Sequence, residues 1–339
     1  MNIQSLNGRQ VCIQGQEYLY FGGTSYLAMH THPLFQVWIK EGFDRYGSNY
    51  GGSRRSNLQF EVIAQAEEQL AQLTGQEAAL TFSSGTLAAQ ALIQSLAQTH
   101  QLLYARGAHP ALWQTHITNH PSDFRIDNLI KQVHQSPRSV AIICNGIDPL
   151  QVKAYDFSWW QELPKDRSTA IVLDESHALG IVGQNGGGNS ELWQVPEQVE
   201  LIITSSLAKA FGVPGGVVIG RKERIRDLEN SALFGGASPI TPAYLFAFSK
   251  ARKLYGQQLR KLRARIRQLQ EYNALKSLPN YPVFKVDNQP IVDQLKAANI
   301  LISSFAYPMK ESPLLNRIVL NAAHERSDID RLMELLEGE

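Results

Sequence analysis

At 339 residues, with 43% apolar and 19% charged residues, the chain has the make-up of a globular protein. It is long enough for one large α/β domain and a smaller one. A formal charge of +1, from 32 basic and 31 acidic residues, supplies no field for nucleic acid or an anionic membrane, so specificity must reside in local sites.

No apolar run nears the roughly 20 residues of a membrane helix, and the polar start MNIQSLNGRQ has no signal core. Cys12 and Cys144 share no metal or redox spacing. The expected location is the cytoplasm, with both thiols reduced and buried. Along the chain, Val62 opens a helical pattern over residues 62–73 that Gly75 stops. An apolar strand over 78–82 follows, then the Ser83-Ser84-Gly85 turn and a helix over 86–97. Strands are expected over 101–105, 140–144, 169–173, 201–204 and 216–219. Several are rich in Val and Ile and apolar on both faces, as buried parallel strands should be. This strand–helix rhythm predicts a mostly parallel sheet sandwiched by helices.

From 242 to 275 the pattern is one long basic helix, with Arg252, Arg260, Arg263, Arg265 and Arg267 among its charges. Such a run is either a phosphate-binding surface or the solvated face of a helix joining two domains, and the second reading is preferred. The tail reads as strands at 281–286, 301–305 and 317–320 with helices at 291–298 and 327–336, a small α+β domain. Ser327 with Asp330 has the spacing of a helix cap. The expected division is an N-terminal arm (1–35), a large domain (36–250) and a small C-terminal domain (251–339).

Four segments carry chemistry. Asp174-Glu175-Ser176-His177 follows an apolar strand, at the end where open α/β sheets bind ligands. An ionised Asp there needs a cation or several donors. A protonated pyridine nitrogen is such a cation, and it keeps the ring an electron sink; alone, the segment equally suits an Asp that closes a strand with a loop hydrogen bond. Ser205-Ser206-Leu207-Ala208-Lys209-Ala210-Phe211-Gly212 follows the next strand and sets one lysine among small and apolar residues, which favours a neutral, nucleophilic amine. Ser84, Gly85 and Thr86 lie at a strand–turn–helix junction, where first-turn N–H groups hold anions, although Ser-Ser-Gly is also a common cap. His109 lies just past another strand, placed either to stack on a flat ring and assist proton transfer or simply as a satisfied loop residue. The pairs His30/His32 and His116/His120 have ligand-like spacing but no cysteine or carboxylate companions, so no metal is expected.

In this order, Ser84-Gly85, His109, Asp174…His177 and Lys209 resemble the α-oxoamine synthases, fold-type-I pyridoxal 5'-phosphate (PLP) enzymes. Tyr26-Leu27-Ala28 through His32-Pro33, Gly51-Gly52-Ser53-Arg54, and Gly180 with Gly183 extend the likeness over nearly the whole chain. Arg317-Ile318, Ala322-Ala323-His324 and Asp328-Ile329-Asp330 are most similar to the 8-amino-7-oxononanoate synthase branch.

The resemblance implies that Lys209 carries PLP as a Schiff base and acts as the acid/base at Cα. It implies that Asp174 pairs with the pyridine nitrogen, His177 bonds the ring oxygen and His109 stacks on the ring. Ser84, Gly85, Thr86 and Ser206 are implied to hold phosphate, and Arg317 and Ser25 to contact substrate. The implied reaction joins a small amino acid to an acyl-CoA thioester, usually with loss of carbon dioxide, in a homodimer whose site lies at the interface. Four positions depart from the family: Ser25 replaces an Asn, Pro149 a Ser, Ile63 a His, and Ala306-Tyr307-Pro308 an Arg-X-Pro-Thr segment. These departures keep an alternative open, a PLP aminotransferase or aldolase-like lyase acting on a small amino acid.

Overall fold

The computed structural model describes residues 2–115, 126–272, 275–307 and 311–337. In chain order it opens with strands β1 (Ser5–Leu6), β2 (Gln10–Ile13) and β3 (Gln16–Phe21), then helices α1 (Pro33–Tyr46) and α2 (Glu61–Thr74). Next come β4 (Ala78–Phe82), α3 (Gly85–Thr99), β5 (His100–Tyr104), α4 (Ile126–Gln135) and β6 (Ser139–Asn145). The short pair β7 (Ile147–Asp148) and β8 (Lys153–Ala154) precedes β9 (Thr169–Asp174), β10 (Val199–Ser206) and β11 (Gly216–Gly220). Helices α5 (Lys222–Glu229), α6 (Ala232–Gly236), α7 (Pro242–Lys250) and α8 (Arg252–Gln270) follow. The tail holds β12 (Lys276–Ser277), β13 (Val283–Lys285), α9 (Gln289–Ala297), β14 (Ile300–Ala306), β15 (Leu314–Val319) and α10 (Arg326–Glu337).

The larger core surrounds a six-stranded sheet in the order β4-β11-β10-β9-β6-β5, in which only β11 runs against its neighbours. Side chains alternate across a strand, and the alternation divides two cores. Ile142, Ile171, Leu173 and Ile203 pack on one face, while Ala141, Ile143, Val172 and Ile202 pack on the other. With both faces covered, continuous Val/Ile runs are the only composition that fits, and each such side chain contributes roughly 1.5–3 kcal/mol by burial.

A second sheet has the order β1-β2-β3-β14-β15-β13-β12. Here the N-terminal strands join those of the tail, with β3 parallel to β14. The expected N-terminal arm is therefore a structural part of the C-terminal sheet. Facing pairs Phe284↔Ile318 and Ile302↔Phe21 put fully or nearly buried side chains on one face. The offset pairs Lys285↔Arg317 and Ser303↔Arg317 put Arg317 on the other face, toward the large sheet.

Two expectations are corrected. The basic helix is two helices, α7 and α8, separated at Ala251; α8 buries Leu254, Leu259, Leu262, Ile266 and Leu269 on one side, as expected of a helix packed between other elements. Ser327 does not cap the last helix: it lies inside α10, and the Asp328 carboxylate accepts the Glu325 N–H at 2.7 Å. An ionised oxygen is the stronger acceptor, and Arg9 holds the same carboxylate at 2.5 Å.

Candidate active site

Three parallel strand ends converge on one edge of the large sheet. Asp174 is the last residue of β9, and its register partners are Thr204 in β10 and Asn145 in β6. The tight turn beyond Asp174 is fixed by its own carboxylate, which accepts the Ser176 N–H at 2.9 Å. Ser176 in turn accepts the Ser206 N–H at 2.9 Å, tying the Asp174 turn to the end of β10. Lys209 lies three residues past that strand and is half-buried. Burial lowers its amine below the ordinary lysine value, and the nearby Asp174 charge opposes that shift. An amine of this kind is both more nucleophilic and within electrostatic reach of a carboxylate.

His177 follows in the same turn. Its Nδ1 lies 2.8 Å from the Tyr26 hydroxyl. Burial, then the charges of Lys209, Arg317 and His109, hold its imidazole well below the usual value, so the ring is neutral. His109 is held by Asn145, whose Oδ1 accepts the His109 N–H at 3.2 Å and whose Nδ2 donates to Gly107 at 2.6 Å. Burial also lowers the His109 ring, against the raising effect of Asp174.

Backbone packing forms the opposite wall. Ser84 caps α3 by accepting the Leu87 N–H at 3.1 Å. The N–H groups of Gly85 and Thr86 precede the first helical bond of α3, which Ala88 donates. A Cβ on Gly85 would stand 3.0 Å from the Ser206 Cβ, and one on Gly216 would stand 2.5 Å from the Gly85 Cα. The glycines let the α3 N-terminus approach β10 and β11 and form a cradle lined with N–H groups.

Arg317 reaches the site from the small sheet. It is buried, its Nη1 donates to the Pro149 carbonyl at 2.6 Å, and its Nε has no partner among the described residues. A buried guanidinium with an open N–H is prepared for an anion. Pro149 offers no side-chain donor, as its ring requires, but its carbonyl orients the arginine. Ser25 lines a mainly apolar cavity of about 400 Å³ with Val11, Tyr20, His30 and Leu301. His116 and His120 lie outside the described residues. Among the described residues, no group of three or more His, Cys, Asp or Glu is placed to hold a metal ion.

Tyr26, Asn145 and Tyr307 belong to this neighbourhood although nothing in the sequence assigned them a role. The Tyr307 hydroxyl lies 3.3 Å from His109 Nε2. Asn145, a polar residue ending a buried strand, carried a readable signal; Tyr26 and Tyr307 are recognisable only from the tertiary structure.

A model described as aminotransferase class I and II matches residues 124–336. The chain belongs to that family. An 8-amino-7-oxononanoate synthase of Yersinia enterocolitica is 28% identical over 360 residues, covering 98% of this chain and 92% of that protein. A serine palmitoyltransferase from S. paucimobilis, solved with a bound PLP–myriocin adduct, superposes with a TM-score of 0.81 at 16% identity, over 98% of this chain and 89% of that one. The 8-amino-7-oxononanoate synthase of Francisella tularensis gives a TM-score of 0.69 at 20% identity, over 94% and 96%. The expected kinship with α-oxoamine synthases, the fold type and the PLP cofactor agree with these matches.

The residues present fit PLP. The glycine cradle that a Cβ would fill suits a phosphate, the Asp174 carboxylate at a strand end suits a pyridinium, and the half-buried Lys209 amine suits a carbonyl. No helix among the described residues is long and apolar enough to cross a membrane.

Proposed function

We propose that this enzyme condenses a small amino acid with an acyl-CoA or acyl-carrier thioester to give an α-amino ketone, in the manner of an 8-amino-7-oxononanoate synthase. The observation that carries this reading is Arg317. It is a buried cation with an open N–H, brought by the small sheet to the pocket that holds Lys209, Asp174 and His177. A guanidinium so placed fixes a carboxylate in one orientation, and relatives named for this reaction match the chain nearly end to end.

In the proposed roles, Ser84, Gly85, Thr86 and Ser206 hold the phosphate, Asp174 the pyridine nitrogen and His177 the ring oxygen. His109 lies against the ring, and Lys209 anchors the aldehyde. When bound, PLP supplies an electron sink for charge developing at the amino acid Cα. Lys209 takes and returns the Cα proton, a task suited to an amine lowered toward neutrality by burial. Arg317 keeps the amino acid from rotating, so that one Cα bond stands ready to break. The reading includes a homodimer with its site at the interface.

Incubating the pure protein with each small amino acid and a series of acyl-CoAs, and following thiol release, tests this. Thiol release with at least one pair is expected. No release with any thioester, together with steady amino exchange with keto acids, would replace this reading with the aminotransferase alternative, which the absent side-chain donor at Pro149 favours.

A further inference from the structure

We propose that Tyr307, just past the end of β14, is a positioning residue for His109: its hydroxyl accepts the His109 Nε2–H and clamps the imidazole from the small-sheet side of the pocket. This inference rests on the reading that His109 lies beside the cofactor.

The argument begins with the other ring nitrogen. His109 Nδ1 accepts the backbone N–H of Ala111 at 3.2 Å. A backbone N–H can only donate, so Nδ1 carries the lone pair and a neutral ring must hold its proton on Nε2. Burial favours the neutral ring here. The group 3.3 Å from Nε2 is the Tyr307 hydroxyl, which therefore accepts. Both ring nitrogens are thus occupied, and Asn145 holds the backbone N–H of the same residue.

Two consequences follow. His109 is a flat, neutral, oriented ring with no free lone pair, so it serves as a surface to stack against rather than as a base. Of the three groups that hold it, Ala111 and Asn145 come from around the large sheet, and only Tyr307 comes from the strand system that carries Arg317. Tyr307 is therefore the direct polar link between the strands that carry the anion-binding arginine and the ring expected to flank the cofactor. The hydroxyl lies within electrostatic reach of Asp174 and Arg317.

The test uses the full-length chain loaded with PLP and labelled with ring-15N histidine. His109→Gln assigns the His109 Nε2–H resonance. His324 serves as an internal reference, because its Nε2 lies 3.0 Å from the Tyr20 carbonyl and its Nδ1 accepts from Asn321. Wild type is expected to show a slowly exchanging Nε2–H at both histidines. In Tyr307→Phe, which keeps the ring, the His109 proton should exchange with water roughly tenfold faster while His324 is unchanged, and kcat should fall by a similar factor with little change in KM.

Unchanged His109 exchange in Tyr307→Phe overturns the proposal. If the His324 signal is also lost, the fold has loosened. Incorporating 3-fluorotyrosine at position 307 then decides, since it keeps the shape and weakens the oxygen as an acceptor: faster His109 exchange supports the clamp and no change overturns it. The exchange measurement is independent of which reaction the enzyme performs, so absence of thioester condensation would sink only the functional reading.

Discussion

In the proposed roles Lys209 is the residue on which the chemistry turns, and its removal would separate covalent capture from simple binding. Lys209→Ala is expected to retain PLP noncovalently through the cradle while borohydride no longer fixes the cofactor to the protein. Turnover should fall by about 10²–10⁴, the usual loss when a positioned acid/base is deleted. Absorbance before and after reduction, with peptide mapping, checks this. At Arg317 the charge alone is not sufficient, because the guanidinium must donate to Pro149 and still present an open N–H. Arg317→Lys keeps the charge but cannot do both. A lost hydrogen bond to a charged group is worth about 1.5–3 kcal/mol, so KM for the amino acid should rise about tenfold to a hundredfold with a smaller change in kcat.

His324 shows how a motif residue can be structural. It is 3% exposed, stacks on Phe21 with centroids 4.3 Å apart, and is bonded at both nitrogens. Burial pushes its imidazole down to about 4 from 6.5. A histidine depressed in the folded state contributes fully above the unfolded value and loses that contribution as pH falls from about 6.5 toward 4. The difference is about 3 kcal/mol. Urea midpoints measured between pH 7 and pH 4 should decline steeply in wild type and more shallowly in His324→Gln; parallel declines would refute the assignment.

At the scale of elements, the contact between α3, β10 and β11 is set by two glycines. Gly216→Ala places a methyl 2.5 Å from both the Gly85 Cα and the Ser84 carbonyl. Neither is a flexible side-chain end, so the α3 N-terminus must move away. Overpacking of this kind costs about 1–3 kcal/mol. Because the displaced N–H groups are those of the cradle, PLP affinity should fall together with the melting temperature, read by cofactor titration and calorimetry. A loss of stability with PLP affinity intact would argue that phosphate binds elsewhere.

The central strands were legible for a simple reason. Residues 139–145 and 169–174 are buried on both faces, so nearly every position must be apolar and the run stands out in sequence. The strand β3, Gln-Glu-Tyr-Leu-Tyr-Phe, has the burial of a strand with one open face; β2 beside it is local, but its parallel partner β14 lies some 280 positions away. Local pattern contains no such information. Among the candidate site residues, Lys209, Asp174, His177 and Ser84 stood out in the sequence because each lies at, or within three residues of, the end of an apolar strand. Tyr307 was not, since its role depends on a histidine 198 positions distant. The cap at Asp328 instead of Ser327 is a choice between two acceptors one residue apart, settled by Arg9 from the other end of the chain.

For the whole molecule, the chief feature is that the small sheet is built from both ends of the sequence. Deleting residues 2–24 would strip β3 from β14 and leave a newly exposed edge of Ile300, Leu301 and Ile302. Unpaired apolar edges seek other strands. The shortened chain should melt at lower temperature and scatter more light on standing, while the large sheet retains its circular-dichroism signature. If the truncated protein were as stable as the full chain, β3 would be an ornament and not a support.

The β3–β14 pairing also orders events during synthesis. A nascent chain emerges from its N-terminus at about 5–20 residues per second. The opening hairpin therefore waits some tens of seconds before residues 300–302, its parallel partner, leave the ribosome. Through that interval Leu19 and Phe21, buried in the finished protein, have no native cover. A strand translated late thus completes one translated early, and until then the apolar side chains of β3 lack the neighbour they are built to pair with.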